Sequence, residues 1–257
     1  MAGCVASRRN SAGFSLIELA VVLVIVGLLV GGGIAALDAT TQQSRRSDQK
    51  RQFDEIREAL YGFALSEGRL PCPDDDYPPD GEEDPLDPGV DEPCDADEGT
   101  LPWQQLGLGR RNPWGQPLRY HVSAEFADAP EDADGNSDPD GSSFTLDDDG
   151  TIRVEDAQGN TITNDTPALV LSVAAQGEQV WTNTSFECPG AGGAAARGFS
   201  EDETENCDWL VTADATFVAA GYRAPGAPNG RYDDLLIWLP APVLKARMVD
   251  VGRMRQP

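Results

Sequence analysis

Glu18 stands out by its surroundings: it is the only charged residue between Phe14 and Leu37, in a run otherwise built of apolar and small side chains. A carboxylate at the centre of a helix in lipid costs about 2.5–3.5 kcal/mol, so an ionisable residue in such a span points to a function, although Glu18 lies near one end of it. A second constellation is made of hard oxygen donors at alternate positions, Asn136-x-Asp138-x-Asp140-Gly141 with Asp147 further on. Clustered oxygens in a tight turn are what calcium requires. A third is the cysteine set Cys72, Cys94, Cys188 and Cys207, with Cys4 near the start. Nucleophilic or acid–base catalysis finds little to use. His121 is the single histidine, and its place in a strand next to Tyr120 suits a solvated or satisfied residue better than a base. The glycine runs lack the Lys-Ser/Thr ending of a phosphate loop. No enzyme activity is expected.

The element that carries Glu18 is long enough to matter. At ~1.5 Å per residue a helix over 14–37 measures roughly 36 Å, against a hydrocarbon core of about 30 Å. From 38 to 67 the sequence turns polar but keeps a helical period, with Phe53, Ile56, Leu60, Phe63 and Ala64 on one face. Gly68 and Pro71 then end it as a C-cap glycine and a breaker. The expected spine is therefore one helix of ~80 Å, apolar all round in its first half and one-sided in its second.

The chain has 257 residues, 19 Lys plus Arg and 44 Asp plus Glu, for a net charge of −25. Such a balance gives nucleic acid no electrostatic footprint, so no nucleic-acid partner is expected. An even set of four cysteines beyond the first apolar run reads as two disulfides in an oxidising compartment. Three pairings are open; Cys72–Cys94 and Cys188–Cys207 are favoured because each closes a local Pro- or Gly-rich loop that lacks a core. Zinc fails on spacing, since there is no Cys-x-x-Cys and only His121 to add.

The segment Gly13-Phe14-Ser15-Leu16-Ile17-Glu18, preceded by Arg8 and Arg9, resembles the processing site of type IV prepilins and type II secretion pseudopilins. That resemblance implies a leader at residues 1–13, cleavage between Gly13 and Phe14 by prepilin peptidase, and N-methylation of Phe14. It implies an assembly role for Glu18, facing the terminal amine of a neighbouring subunit. Two unit charges about 4 Å apart attract by roughly 4 kcal/mol at an effective dielectric of 20, enough to offset insertion and set register. Lys and Arg counts alone oppose the implied topology, with Arg45, Arg46, Lys50 and Arg51 after the span. The processing motif and the disulfides place the amino terminus in the cytoplasm and the domain in the periplasm. Major pilins carry a proline midway along this helix; here Gly27 and Gly31 to Gly33 are the soft points, a departure from the major-pilin pattern.

Beyond the helix, residues 71–100 are acidic and Pro-rich and read as a loop stapled by Cys72–Cys94. Asn112-Pro113-Trp114-Gly115-Gln116-Pro117 resembles the Asp-Pro-Trp-Gly-x-Pro turn of major pseudopilins, with Trp114 expected in the core. Strands are predicted at 118–126, 144–146, 151–154, 168–174, 179–182 and 234–239, and a helix at 242–251 bearing Leu244, Met248 and Val251. The run 168–174 is apolar on both faces and should be a central strand. The low-complexity segment 190–198 is expected to be a mobile loop. The order of these motifs resembles that of proteobacterial pilin-like proteins of unassigned role.

The expected fold is α+β and pilin-like: leader 1–13, membrane and filament-core helix 14–37, and a globular domain 38–257. The last comprises helix 38–67, acidic loops and antiparallel sheet over 71–239, and a C-terminal helix at 240–253. The resemblance also implies calcium in the loop that holds Asn136, Asp138, Asp140 and Asp147, an incomplete EF-hand pattern without the helix pair; a solvated acidic loop is the open alternative. No other cofactor is expected. Two functions follow: a minor pilin or pseudopilin assembled with other subunits by an inner-membrane machinery, or an anchored adhesin-like module displaying acidic loops.

Overall fold

The structure is a computed structural model in which residues 15–85, 94–128, 141–174, 200–212 and 215–254 are described, the side chains of 29–39 and 208–212 excepted. The chain divides into two units, Met1–Ser47 and Asp48–Pro257. Helix α1, Leu16–Glu67, begins in the first and ends in the second. Its stop is as expected: Gly68 takes φ +78°, and its N–H donates to the Ala64 carbonyl at 2.9 Å. A left-handed residue there satisfies a carbonyl that the helix can no longer reach.

The second unit holds two sheets, and one strand of the larger packs one of its faces against the smaller. Strands β1 (Glu98–Thr100), β2 (Arg119–Val122), β5 (Ala168–Ser172) and β7 (Leu235–Trp238) form a sheet in the order β1-β2-β5-β7. Every pair in it is antiparallel. Strands β3 (Ile152–Asp156), β4 (Thr161–Thr166) and β6 (Thr216–Ala219) form a smaller sheet in the order β4-β3-β6. There β3 runs parallel to β6, which corrects the expectation of a wholly antiparallel sheet. A long connection through β4, β5 and α3 (Glu201–Thr212) makes the parallel pairing possible.

Both faces of β5 are buried, and alternation sends its side chains to two cores. Ala168 and Val170 meet Phe53, Ile56, Leu60, Tyr61 and Ala64 of α1 and Leu244 and Met248 of α4 (Ala241–Asp250). Leu169 and Leu171 meet Ile152 and Val154 of β3 and Phe217 of β6. The central-strand reading of this run therefore holds. So does the buried face of the second half of α1, except that Tyr61 is buried and Phe63 only half-buried. The Phe63 ring lies under the Arg69 guanidinium at 5.4 Å instead.

Other expectations need correction. The strand predicted at 118–126 stops at Val122 and turns into a short helix α2, Ala124–Ala127. Ser123 makes the break: its N–H donates to Pro167 O at 2.8 Å, and its Oγ donates to Thr166 O at 3.0 Å and accepts from Thr151 N at 2.9 Å. Residues 144–146 form no strand, because Thr145 N donates to Asp148 Oδ2 and Ser142 Oγ to Phe144 O, local bonds that compete with a ladder. Val251 is exposed, just past the end of α4. The strand expected at 179–182 and the loop at 190–198 lie outside the described residues.

Trp114 is half-buried and not a core residue. The turn points Asn112 inward in its place. Asn112 Oδ1 accepts from Trp114 N at 3.0 Å and Gln116 N at 2.9 Å, while Nδ2 donates to Ser172 Oγ at 2.9 Å and Val173 O at 3.3 Å. Ser172 Oγ in turn donates to Gln49 Oε1 on α1 at 2.9 Å, tying turn, central strand and helix together. An Asp in this position could accept the two turn bonds but could not donate to Val173 O, which accounts for the amide. Trp103 packs inward, against Gly81, where an added Cβ would fall 2.3 Å from its ring. Asn112→Asp should lower stability by about 1–3 kcal/mol at neutral pH and by less once the carboxyl is protonated. Urea unfolding at about pH 7 and about pH 4 measures this, and equal losses at both would contradict the donor role.

Candidate functional site

The start of α1 is organised by Ser15. Its Oγ accepts the N–H of Glu18 at 3.2 Å and its carbonyl accepts Leu19 N at 3.1 Å, the Ser-x-x-Glu spacing of a capped N-terminus. Glu18 falls in the first turn, where a negative charge also meets the positive end of the helix dipole. Beyond it the side chains are apolar and exposed: Leu16 is 89% and Leu28 73% accessible, and Val21, Val22, Leu23, Val24, Ile25 and Val26 are exposed as well. Six consecutive positions at about 100° apiece leave no polar face. A helix of this kind is built to be covered by lipid or by other helices. Among the described residues no helix is long and apolar enough to cross a membrane; the side chains of 29–39, within the expected span, lie outside them. Gly13 and Phe14 lie outside the described residues as well.

A capped helix start with a single early carboxylate and exposed apolar side chains over 16–28 is the kind of surface that a lipid or protein cover would stabilise. Residues 8–34 match the prokaryotic N-terminal methylation motif, the prepilin-type signature of pilins and pseudopilins, and the chain carries that signature. No curated protein and no solved structure matches the chain.

Among the other expected sites, Cys72 and Cys94 are bonded to each other with Cα atoms 5.5 Å apart. Cys207 is disulfide-bonded, and its expected partner Cys188 lies outside the described residues. Of the expected calcium ligands, Asn136, Asp138 and Asp140 also lie outside them. Asp147 is exposed. The neighbouring carbonyls Leu146 O, at 3.0 Å, and Asp148 O accept from the Lys245 ammonium, so this end of the loop already holds a cation. His121 points from β2 to the second core, its ring edge-on to Phe217 at 5.8 Å. Burial, with the Arg119 guanidinium beside it, pushes its pKa down to about 4.

Sequence reading missed two acidic clusters, Asp75/Asp76/Asp84 and Glu203/Asp233/Asp234, each with one oxygen per residue within 4.8 Å of the others. The first sits in the loop closed by Cys72–Cys94, where Asp84 Oδ2 accepts Asp75 N at 2.9 Å. Beside it, burial raises the Asp74 carboxyl to about 7 even though Gly81 N donates to it. The second could have been found from Ser200-x-x-Glu203, a capping box that opens α3, and from the adjacent pair Asp233-Asp234 before β7. In it Glu203 is raised to about 7 by burial. Elsewhere Glu98 is raised to about 7 by burial, against the pull of Arg119 at 3.2 Å.

These shifts have a sign. Asp74, Glu98 and Glu203 bind protons more tightly folded than at their ordinary values of 3.8 and 4.5, so the stability they contribute is full in acid and lost as pH rises through about 7. His121 acts the other way, losing stability as pH falls from 6.5 through about 4. Three carboxylates outweigh one imidazole. The melting temperature in chelator should therefore rise as pH falls from about 8 to about 5; a fall over that window in thermal scans would contradict the burial of these carboxyls.

Proposed function

We propose that the protein is a structural subunit, a minor pilin or pseudopilin, of a type IV pilus or type II secretion filament. The observation that carries this reading is the apolar, exposed start of α1 with Glu18 as its only charge, lying within the matched prepilin-type signature. Before assembly the helix is stored in the inner membrane, with the amino terminus cytoplasmic and the Asp48–Pro257 unit periplasmic. Prepilin peptidase cuts between Gly13 and Phe14 and methylates Phe14. On assembly the lipid around the helix is replaced by helices of other subunits, and each Glu18 meets the amine of a neighbour's Phe14. That pairing removes the cost of an uncompensated carboxylate in an apolar bundle and sets the axial register at the same time.

Mass spectrometry of the chain from its native envelope should find N-methyl-Phe14 as its first residue; residues 1–13 still attached would overturn the reading. Glu18→Ala should still be processed but should be lost from filaments, by at least tenfold in sheared or cross-linked fractions. Normal incorporation of Glu18→Ala would instead favour an anchored, adhesin-like module whose helix serves delivery alone.

A further inference from the structure

The carboxylates of Glu203, Asp233 and Asp234 come from two separate stretches, the first turn of α3 and the residues that lead into β7. All three are buried, with exposures of 1%, 2% and 7%, and an oxygen from each lies within 4.8 Å of the others. Most of their bonding is accounted for. Glu203 Oε2 accepts Ser200 N at 3.1 Å and Oε1 accepts Asp233 N at 2.9 Å. Asp234 Oδ2 accepts Asn206 Nδ2 at 3.1 Å, and Asp233 Oδ2 pairs with the Arg231 guanidinium. Asp233 Oδ1 is the exception: it is buried without any hydrogen-bond partner. A carboxylate oxygen enclosed in this way loses its hydration and receives nothing in return.

Charge leads to the same place. Three carboxylates face one guanidinium, that of Arg231, and Tyr232 nearby is a neutral phenol whose OH donates to Val218 O at 2.6 Å. Fully ionised, the group keeps two uncompensated negative charges, the charge of one divalent cation. Without a cation it must hold protons, and burial with mutual repulsion does raise Glu203 to about 7 and Asp234 well above its ordinary range.

We propose that Glu203, Asp233 and Asp234 form a binding site for a divalent cation of the calcium type. The donors are oxygens only, some of them able to bind through both atoms, which suits a large hard ion of flexible coordination better than zinc or copper. Asp233 Oδ1 is the ligand left free for it. Asn206 backs the site: its Nδ2 donates to Asp234 and its Oδ1 accepts Val218 N at 2.7 Å, holding α3 against β6. The ion would clamp α3 to the strand entering β7, two elements far apart in sequence. These three residues are none of Asn136, Asp138, Asp140 and Asp147, and the proposal does not depend on the filament reading.

Calcium titration of the full-length, detergent-solubilised, chelator-treated chain tests this by calorimetry and thermal melting. Wild type should bind calcium with release of protons near neutral pH and melt at a higher temperature. Asp234→Asn keeps an acceptor for Asn206 and should fold, whereas Glu203→Gln keeps one acceptor for Ser200 N but turns its amide N–H₂ toward Asp233 N and loses that bond. Without calcium Asp234→Asn should melt no lower than wild type, since a like charge has been removed. Both variants should bind calcium at least tenfold more weakly than wild type, whereas Asp84→Asn, in the other acidic cluster, should bind as wild type does. Absence of heat and of any melting shift in wild type would overturn the proposal. So would unchanged affinity in Asp234→Asn, which would put the ion in another loop.

Discussion

The strand that cannot be exposed on either side decides the architecture of the larger unit. Ala168 to Ser172 is buried throughout, so β5 needs a neighbour on each edge and a layer on each face. The edges are met by β2 and β7. One face is met by the one-sided half of α1 together with α4, the other by the small sheet of β3 and β6. A two-layer domain would have left Leu169 and Leu171 in water, at about 1.5–3 kcal/mol apiece. The second sheet therefore exists because of the composition of a five-residue strand. Its parallel pair follows from the same demand, as α3 and the long connection carry the chain back to the same face.

The same strand anchors the polar interior. Ser172 at its end joins Gln49 of α1 to Asn112 of the turn before β2, and all three are buried. Such a chain of hydrogen bonds, in which Gln49 Nε2 is left without a partner, adds little net stability, but it is costly to break at one point, so it fixes the helix against the sheet at one register. On β2, Arg119 and His121 face the second layer while Tyr120 and Val122 face the first core. The ion pair of Arg119 with Glu98 lets a charged residue occupy a face that alternation alone would have filled with an apolar one.

What the sequence made legible is what local rules control. The period of Phe53, Ile56, Leu60 and Ala64, the stop at Gly68, the two-faced run at β5 and the Cys72–Cys94 staple all follow from short-range pattern, and the structure has each of them. Helix α3 and strands β4 and β6 were missed for a physical reason. The turn of α3 is made of Glu, Asp and Thr with little apolar periodicity, and β4 is Thr161–Thr166, a largely exposed polar strand. Their signals are a capping box and tertiary pairing, and only the first is visible without the fold. Trp114, expected in the core, is half-buried because a turn motif does not say which side chain points inward; Asn112, with four hydrogen bonds to make, won the interior. At the amino terminus, Glu18 and its apolar surroundings were legible, whereas the cap by Ser15 was not noted.

Electrostatics sets the terms on which the two units can work together in the proposed filament. A chain with net charge −25 repels its own copies, and removal of the leader would take away Arg8 and Arg9 and leave it more acidic still. Screening at physiological salt acts over about 8 Å, so neighbouring acidic surfaces closer than that still oppose packing. The force that overcomes this must come from a part of the chain without net repulsion. The apolar half of α1 has that character, with one negative charge that a neighbour's amine can cancel. In the proposed filament, attraction and repulsion would thereby fall to different stretches of one sequence, and subunits would associate through their helices. Divalent cations would shift that balance further toward association, by lowering the charge of each domain from within instead of by screening between them.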